Sequence, residues 1–108
     1  MMLVNGCLVE TVDASPALYG RCLLEVNKKK YINGPCTITM DHAYGNGGFT
    51  METKPLAYFA NITVTGEGVG EAYWNKYKGA AFANVSLGSV VRKDACWQNK
   101  IAKVCAWK

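Results

Sequence analysis

At 108 residues, half of them hydrophobic and 19% charged, the chain is long enough for one domain with a modest core and too apolar to be disordered. Its formal charge of +4 is spread along the chain, apart from Lys28-Lys29-Lys30, and falls short of the dense basic stripe of a nucleic-acid-binding domain, so no nucleic-acid partner is expected. No apolar run reaches the roughly 18 residues of a membrane-crossing helix, so no membrane span is expected either.

Residues 1–14 read as a possible leader remnant or N-terminal extension. Val12-Asp13-Ala14-Ser15 carries small or β-branched residues three and one before a cut, as a signal-peptidase site requires. Cys7 stands apart in this segment. Residues 15–108 read as a single β domain.

The apolar period from there on is two. Cys22–Val26 and Tyr31–Met40 are predicted strands, with Asn27-Lys28-Lys29-Lys30 as the turn between them. In Cys36-Thr37-Ile38-Thr39-Met40 the threonines face outward. A glycine-rich stretch from Asp41 to Gly48 turns the chain before Phe49-Thr50-Met51-Glu52-Thr53, which alternates in the same way. In Tyr58–Thr65, Ala60, Ile62 and Val64 share one face and Asn61, Thr63 and Thr65 the other. Gly66-Glu67-Gly68-Val69-Gly70 turns the chain again before Glu71-Ala72-Tyr73-Trp74, and Gly79 and Gly88 mark further breaks. The only helical candidate is a short one over Ala80 to Leu87. Val90-Val91-Arg92 and Cys96-Trp97 lead to a last strand, Lys103 to Trp107. The expected fold is all-β: a small antiparallel barrel or sandwich of about seven or eight short strands, stabilised by disulfides.

The cysteines Cys22, Cys36, Cys96 and Cys105 lie beside turns of a small domain, the placement of structural bridges made in an oxidising compartment, periplasmic or secreted. If Lys28-Lys29-Lys30 is a three-residue loop, Asn27 faces Tyr31 and Cys22 faces Cys36 directly. Cys96 faces Cys105 if Asn99 to Ala102 forms a four-residue loop. Local pairing is therefore expected, with pairing between the first and last hairpins as the alternative. No Cys-x-x-Cys spacing is present and His42 is the only histidine, so neither a metal nor another cofactor is expected.

No nucleophile–base arrangement stands out. His42 has no reactive thiol assigned beside it, and Gly45-Asn46-Gly47-Gly48 lacks the Lys-Ser/Thr of a phosphate loop. Glu67 and Glu71 lie four apart on a turn, and two acids can do acid–base work on sugars, although lone surface acids are far commoner. Asn61-Ile62-Thr63 and Asn84-Val85-Ser86 match the glycosylation pattern. The densest cluster of interaction-prone side chains is Tyr73-Trp74-Asn75-Lys76-Tyr77-Lys78-Gly79. Alternation sends Trp74 to one face, as a core residue, and Tyr73 and Asn75 to the other. Tyr73, Tyr77 and Lys78 are thus the candidate binding residues for a protein partner.

Tyr31-Ile32-Asn33-Gly34-Pro35-Cys36, with Tyr73-Trp74-Asn75, Leu87-Gly88, Ala95-Cys96-Trp97-Gln98-Asn99 and Val104-Cys105-Ala106-Trp107 downstream, resembles a group of small exported alphaproteobacterial proteins without an assigned activity. That resemblance spans about residues 22–107 and implies export and a bacterial origin. Gly70-Glu71-Ala72-Tyr73 is similar to the Ser-Gly-x-x-Tyr motif of bacterial inhibitors of c-type lysozyme, with Val69 at the place of the serine. Tyr73–Gly79 is similar to their Tyr-x-x-x-Thr-Lys-Gly motif, with Tyr77 in place of the threonine. This second resemblance implies a small β-barrel that inhibits lysozyme. The sequence thus points first to an exported, non-enzymatic binding protein with a protein, envelope or host partner. Lysozyme inhibition is the sharper alternative, and a glycan-acting enzyme or a structural envelope component are the others.

Overall fold

A computed structural model of the chain describes residues 17–41, 48–53 and 57–108. The readings of residues 1–14, Cys7, His42 and Gly45-Asn46-Gly47 lie outside these residues. The strands are β1 (Ala17–Val26), β2 (Lys29–Asp41), β3 (Gly48–Glu52), β4 (Phe59–Gly66), β5 (Val69–Trp74), β6 (Val85–Lys93), β7 (Cys96–Gln98) and β8 (Ala102–Trp107). Each runs antiparallel to the next, and β8 pairs back onto β1, so the sheet closes into an eight-stranded barrel. Of the two expected architectures, the barrel is the one formed; it leaves no sheet edge to be covered. Among the described residues there is no helix, and hence none long and apolar enough to cross a membrane.

The period-two pattern becomes the inside and outside of this barrel. Leu24, Ile38, Met51, Ile62, Val90 and Val104 are each sealed inside. Along β4, Ala60 and Ile62 point inward while Thr63 and Thr65 are exposed, as the alternation requires. Two tryptophans complete the filling. Trp74 is buried at the end of β5, where its ring meets Tyr31 edge-on at 4.7 Å and stacks with Tyr58 at 6.3 Å. Trp97 is buried from β7 and lies over the inward-facing Gly70, where a Cβ would come within 3.4 Å of its ring and 2.7 Å of the Thr63 carbonyl. Only glycine leaves that room.

Both local disulfides form, Cys22–Cys36 and Cys96–Cys105. The first does so in a register that differs from the expected one. Asn27 and Lys28 adopt φ of 53° and 72°, making a two-residue turn of the primed kind, whose twist suits a hairpin better than a Lys28–Lys30 loop. The register then slips between Leu24 and Glu25, leaving Tyr31 as the extra residue. Cys22 therefore faces Gly34 and Cys36 faces Gly20, and the bridge runs diagonally with its Cα atoms 5.8 Å apart. Cys96 and Cys105 are direct partners across β7 and β8, with Gln98 paired to Lys103 and residues 99–102 between them as expected. Cys22 and Cys36 sit within the core, whereas Cys96 and Cys105 alternate with the inward Trp97 and Val104 and so face the outer side of the sheet, where Cys105 is nevertheless fully buried and Cys96 half-buried. Each bridge closes a short loop and contributes roughly 3 kcal/mol by restricting the unfolded chain. Bridges of this kind point to an oxidising, extracytoplasmic environment.

The helical candidate at Ala80 to Leu87 is not a helix. Residues 80–84 are irregular, and β6 begins at Val85. In the barrel Leu87 is the buried extra residue of a bulge, with Gly88 at φ 92° beside it.

Candidate functional site

An up-and-down barrel places alternate connections at opposite ends. Those after β1, β3, β5 and β7 share one end; those after β2, β4 and β6 share the other. The first end collects Lys28, Lys29 and Lys30 from the β1–β2 hairpin, Lys76 and Lys78 from the β5–β6 loop, and Lys100 from the β7–β8 loop, all of them exposed. Among their described residues these connections contain no carboxylate, while Lys29 and Lys30 belong to β2 itself, where Glu25 of β1 stands opposite Lys30, and Glu52 ends β3 at the same end. The large apolar side chains at this end are Tyr77, 66% exposed, Phe82, 74%, and Ile101, 47%. The Lys76 ammonium lies 5.4 Å from the centre of the Tyr77 ring, and that of Lys29 lies 5.2 Å from Tyr31.

Two asparagines hold these loops in place. Asn75 is buried although alternation assigned it to the outer face with Tyr73, because β5 ends at Trp74 and the chain leaves the pleat there. Its Nδ2 donates to the carbonyls of Ala57 at 3.0 Å and of Tyr77 and Ala80 at 3.2 Å, while its Oδ1 accepts from the Phe59 amide. The Gly79 amide adds a bond to the Ala57 carbonyl at 2.7 Å. One side chain thus clamps the β5–β6 loop onto the β3–β4 connection. Asn99 does the same for the β7–β8 loop. Its Oδ1 accepts from the amides of Ile101 and Ala102, and its Nδ2 reaches the Leu87 and Ser89 carbonyls across the β6 bulge, each at 2.9 Å. The Asn27 amide then donates to the Ile101 carbonyl at 2.8 Å, linking the lysine hairpin to that loop.

The candidate binding residues separate. Tyr77 and Lys78 stand on the clamped loop at the basic end. Tyr73 is half-buried on the outer wall of β5, in register with Asn61 and Ser86. Trp74 is core, as its place in the alternation implied. Glu71 accepts a short hydrogen bond from the Ser89 hydroxyl on the outer wall, at 2.6 Å, and Glu67 caps the β4–β5 turn at the far end. Asn61 spends its amide on the Phe49 carbonyl and the Thr50 hydroxyl. Lys100, Phe82 and Ile101 were not singled out by sequence. Their signal is the parity of the loops, which becomes readable once eight strands are counted.

The far end is chemically different. Glu67 and Asp94 occupy its turns, and a cavity of about 150 Å³ opens beside the β6–β7 turn. No protein-family model matches the chain, and neither a curated protein nor a solved structure matches it.

Proposed function

We propose that the chain is an exported binding protein, periplasmic or secreted and without catalytic activity of its own, that grips an acidic face of a protein partner with the basic end of its barrel. One observation carries this reading: six exposed lysines and three exposed apolar side chains gather at one end, against Glu25 and Glu52 as the carboxylates of the adjoining strand ends among the described residues. Lysines supply long-range attraction and orientation, and aromatic side chains supply contact energy at short range. The asparagine clamps support it as well, since a loop already held in one conformation loses little entropy on binding. The test is a salt-dependent binding isotherm against a partner captured from extracytoplasmic extracts. Reversing charge at Lys76 and Lys78 should weaken it by tenfold or more.

A second reading, inhibition of a c-type lysozyme, draws on a particular feature of the same end. Lys78 adjoins the exposed Tyr77 on a loop tied down by Asn75, an arrangement suited to enter an acidic catalytic cleft. A lysozyme assay with added protein separates the two readings. Retained lysozyme activity at high inhibitor excess leaves the acidic-partner reading and removes this one. Nothing comparable favours glycan hydrolysis by Glu67 and Glu71, since the Glu71 carboxylate is engaged by Ser89.

A further inference from the structure

The end opposite the lysines holds a second, chemically distinct site. Ile38 and Met40 from β2, Phe49 from β3, Trp97 from β7 and Ala106 from β8 line the cavity of about 150 Å³ with apolar surface. Gly70 lies beneath Trp97, where a Cβ would touch the indole at 3.4 Å and clash with the Thr63 carbonyl at 2.7 Å. The mouth carries Arg92, Asp94 and Lys108. The Arg92 guanidinium lies 6.0 Å from the centre of the Trp97 ring, and its Nε donates to the Asp94 backbone carbonyl at 3.1 Å. Those two contacts orient the exposed guanidinium beside the Trp97 ring. Its terminal amino groups make no ion pair among the described residues. Among the described side chains, two cations and one carboxylate line the mouth.

We propose that this cavity binds a small organic carboxylate with one apolar group, the apolar group seated on Trp97, Phe49 and Met40 and the carboxylate at Arg92 and Lys108. The volume sets the size. The cavity, of about 150 Å³, is partly open and has a mixed polar and apolar lining; it has room for a single six-membered ring, which makes benzoate or a short branched-chain acid the size proposed. The charge sets the head group. A guanidinium held by a ring and a carbonyl is pre-organised to meet a carboxylate with two parallel hydrogen bonds. A neutral or cationic ligand of equal size finds no such partner and, if cationic, meets repulsion. The site shares no residue with the basic end, so it stands or falls independently of the acidic-partner reading.

The experiment follows backbone amide shifts of isotopically labelled full-length protein titrated with benzoate, benzyl alcohol, benzylamine and palmitate. Saturable benzoate shifts centred on Met40, Phe49, Trp97 and Ala106 are expected, with benzyl alcohol about tenfold weaker and benzylamine weaker still. Arg92→Gln, at an exposed position and with its fold checked by the amide spectrum, should weaken benzoate about tenfold and leave benzyl alcohol unchanged. Lys78→Ala, at the other end, should change neither. Equal responses to benzoate and benzylamine, tighter binding of palmitate than of benzoate, benzoate affinity unaltered by Arg92→Gln, or no benzoate shifts up to solubility would each overturn the proposal.

Discussion

The buried side-chain amide of Asn75 donates to the carbonyl of Ala57, 18 residues away in sequence and 3.0 Å away in space. That bond is the centre of a set that turns the β5–β6 loop from a surface excursion into a fixed part of the barrel end. Asn75 is only 1% exposed, so each of these groups has exchanged water for the asparagine.

Replacing Asn75 by alanine should therefore leave several buried backbone groups unpaired and cost about 2–4 kcal/mol. Asn75→Asp should be at least as damaging, because a carboxylate cannot donate to the Ala57, Tyr77 and Ala80 carbonyls. Urea unfolding measures both. A loss below about 0.5 kcal/mol for either variant would show that the loop is held by something else.

The seam between β1 and β8 depends on Gly20. A Cβ at this position would come within 2.1 Å of the Trp107 carbonyl oxygen and 3.0 Å of Ile38. Gly20→Ala should force the two backbones apart, costing about 2 kcal/mol or more and raising amide exchange around Arg21 and Trp107, which are paired there. Gly68→Ala provides the comparison. Open space surrounds Gly68 but its φ is 72°, so the cost should be the backbone preference alone, about 1 kcal/mol. Equal small losses in both would contradict the tight closure.

The two bridges should differ in access. Cys22, Cys36 and Cys105 are all buried, at 1%, 5% and 0% exposure, while Cys96 is half-buried and is the one bridged cysteine that reductant can approach. Under limiting reductant, Cys96–Cys105 should open first and Cys22–Cys36 only as the barrel unfolds. Alkylation of partly reduced protein followed by peptide mass mapping reads the order directly. Early labelling of Cys22 or Cys36 in folded protein would contradict it.

Much of the fold is visible in the residues themselves. Ala60, Ile62 and Met51 alternate with polar neighbours, and a period of two is a direct projection of the pleat. The local pairings Cys22–Cys36 and Cys96–Cys105 are expected from assumed hairpin loops, and the first survives a different turn because Cys22 and Cys36 still share a face with their Cα atoms 5.8 Å apart. Register itself was harder to read. The slip at Tyr31 and the bulge at Leu87 each add one residue, and no side-chain type marks such an insertion uniquely. Asn75 shows the limit of alternation: one residue past the strand end the rule no longer applies, and a polar side chain turned inward. The basic end was half legible. Tyr77 and Lys78 adjoin in sequence, but Lys28, Lys100 and Phe82 join them only through the closure of the barrel. The cavity was not legible at all, since Ile38, Phe49, Trp97 and Ala106 come from four strands and meet only when the sheet curls shut.

Charge at the basic end tests the central claim most directly. Wild-type protein and a Lys76→Glu/Lys78→Glu variant, both confirmed as folded and oxidised, are immobilised side by side and exposed to extracytoplasmic extract at low and high salt. The isotherm of a partner retained by the wild type is then measured against each. The expected result is a partner whose affinity falls with salt and drops at least about tenfold on charge reversal, chiefly through slower association and, where Tyr77 contributes, faster dissociation. Equal affinity for both proteins, insensitive to salt, would contradict the assignment of the binding surface to this end of the barrel.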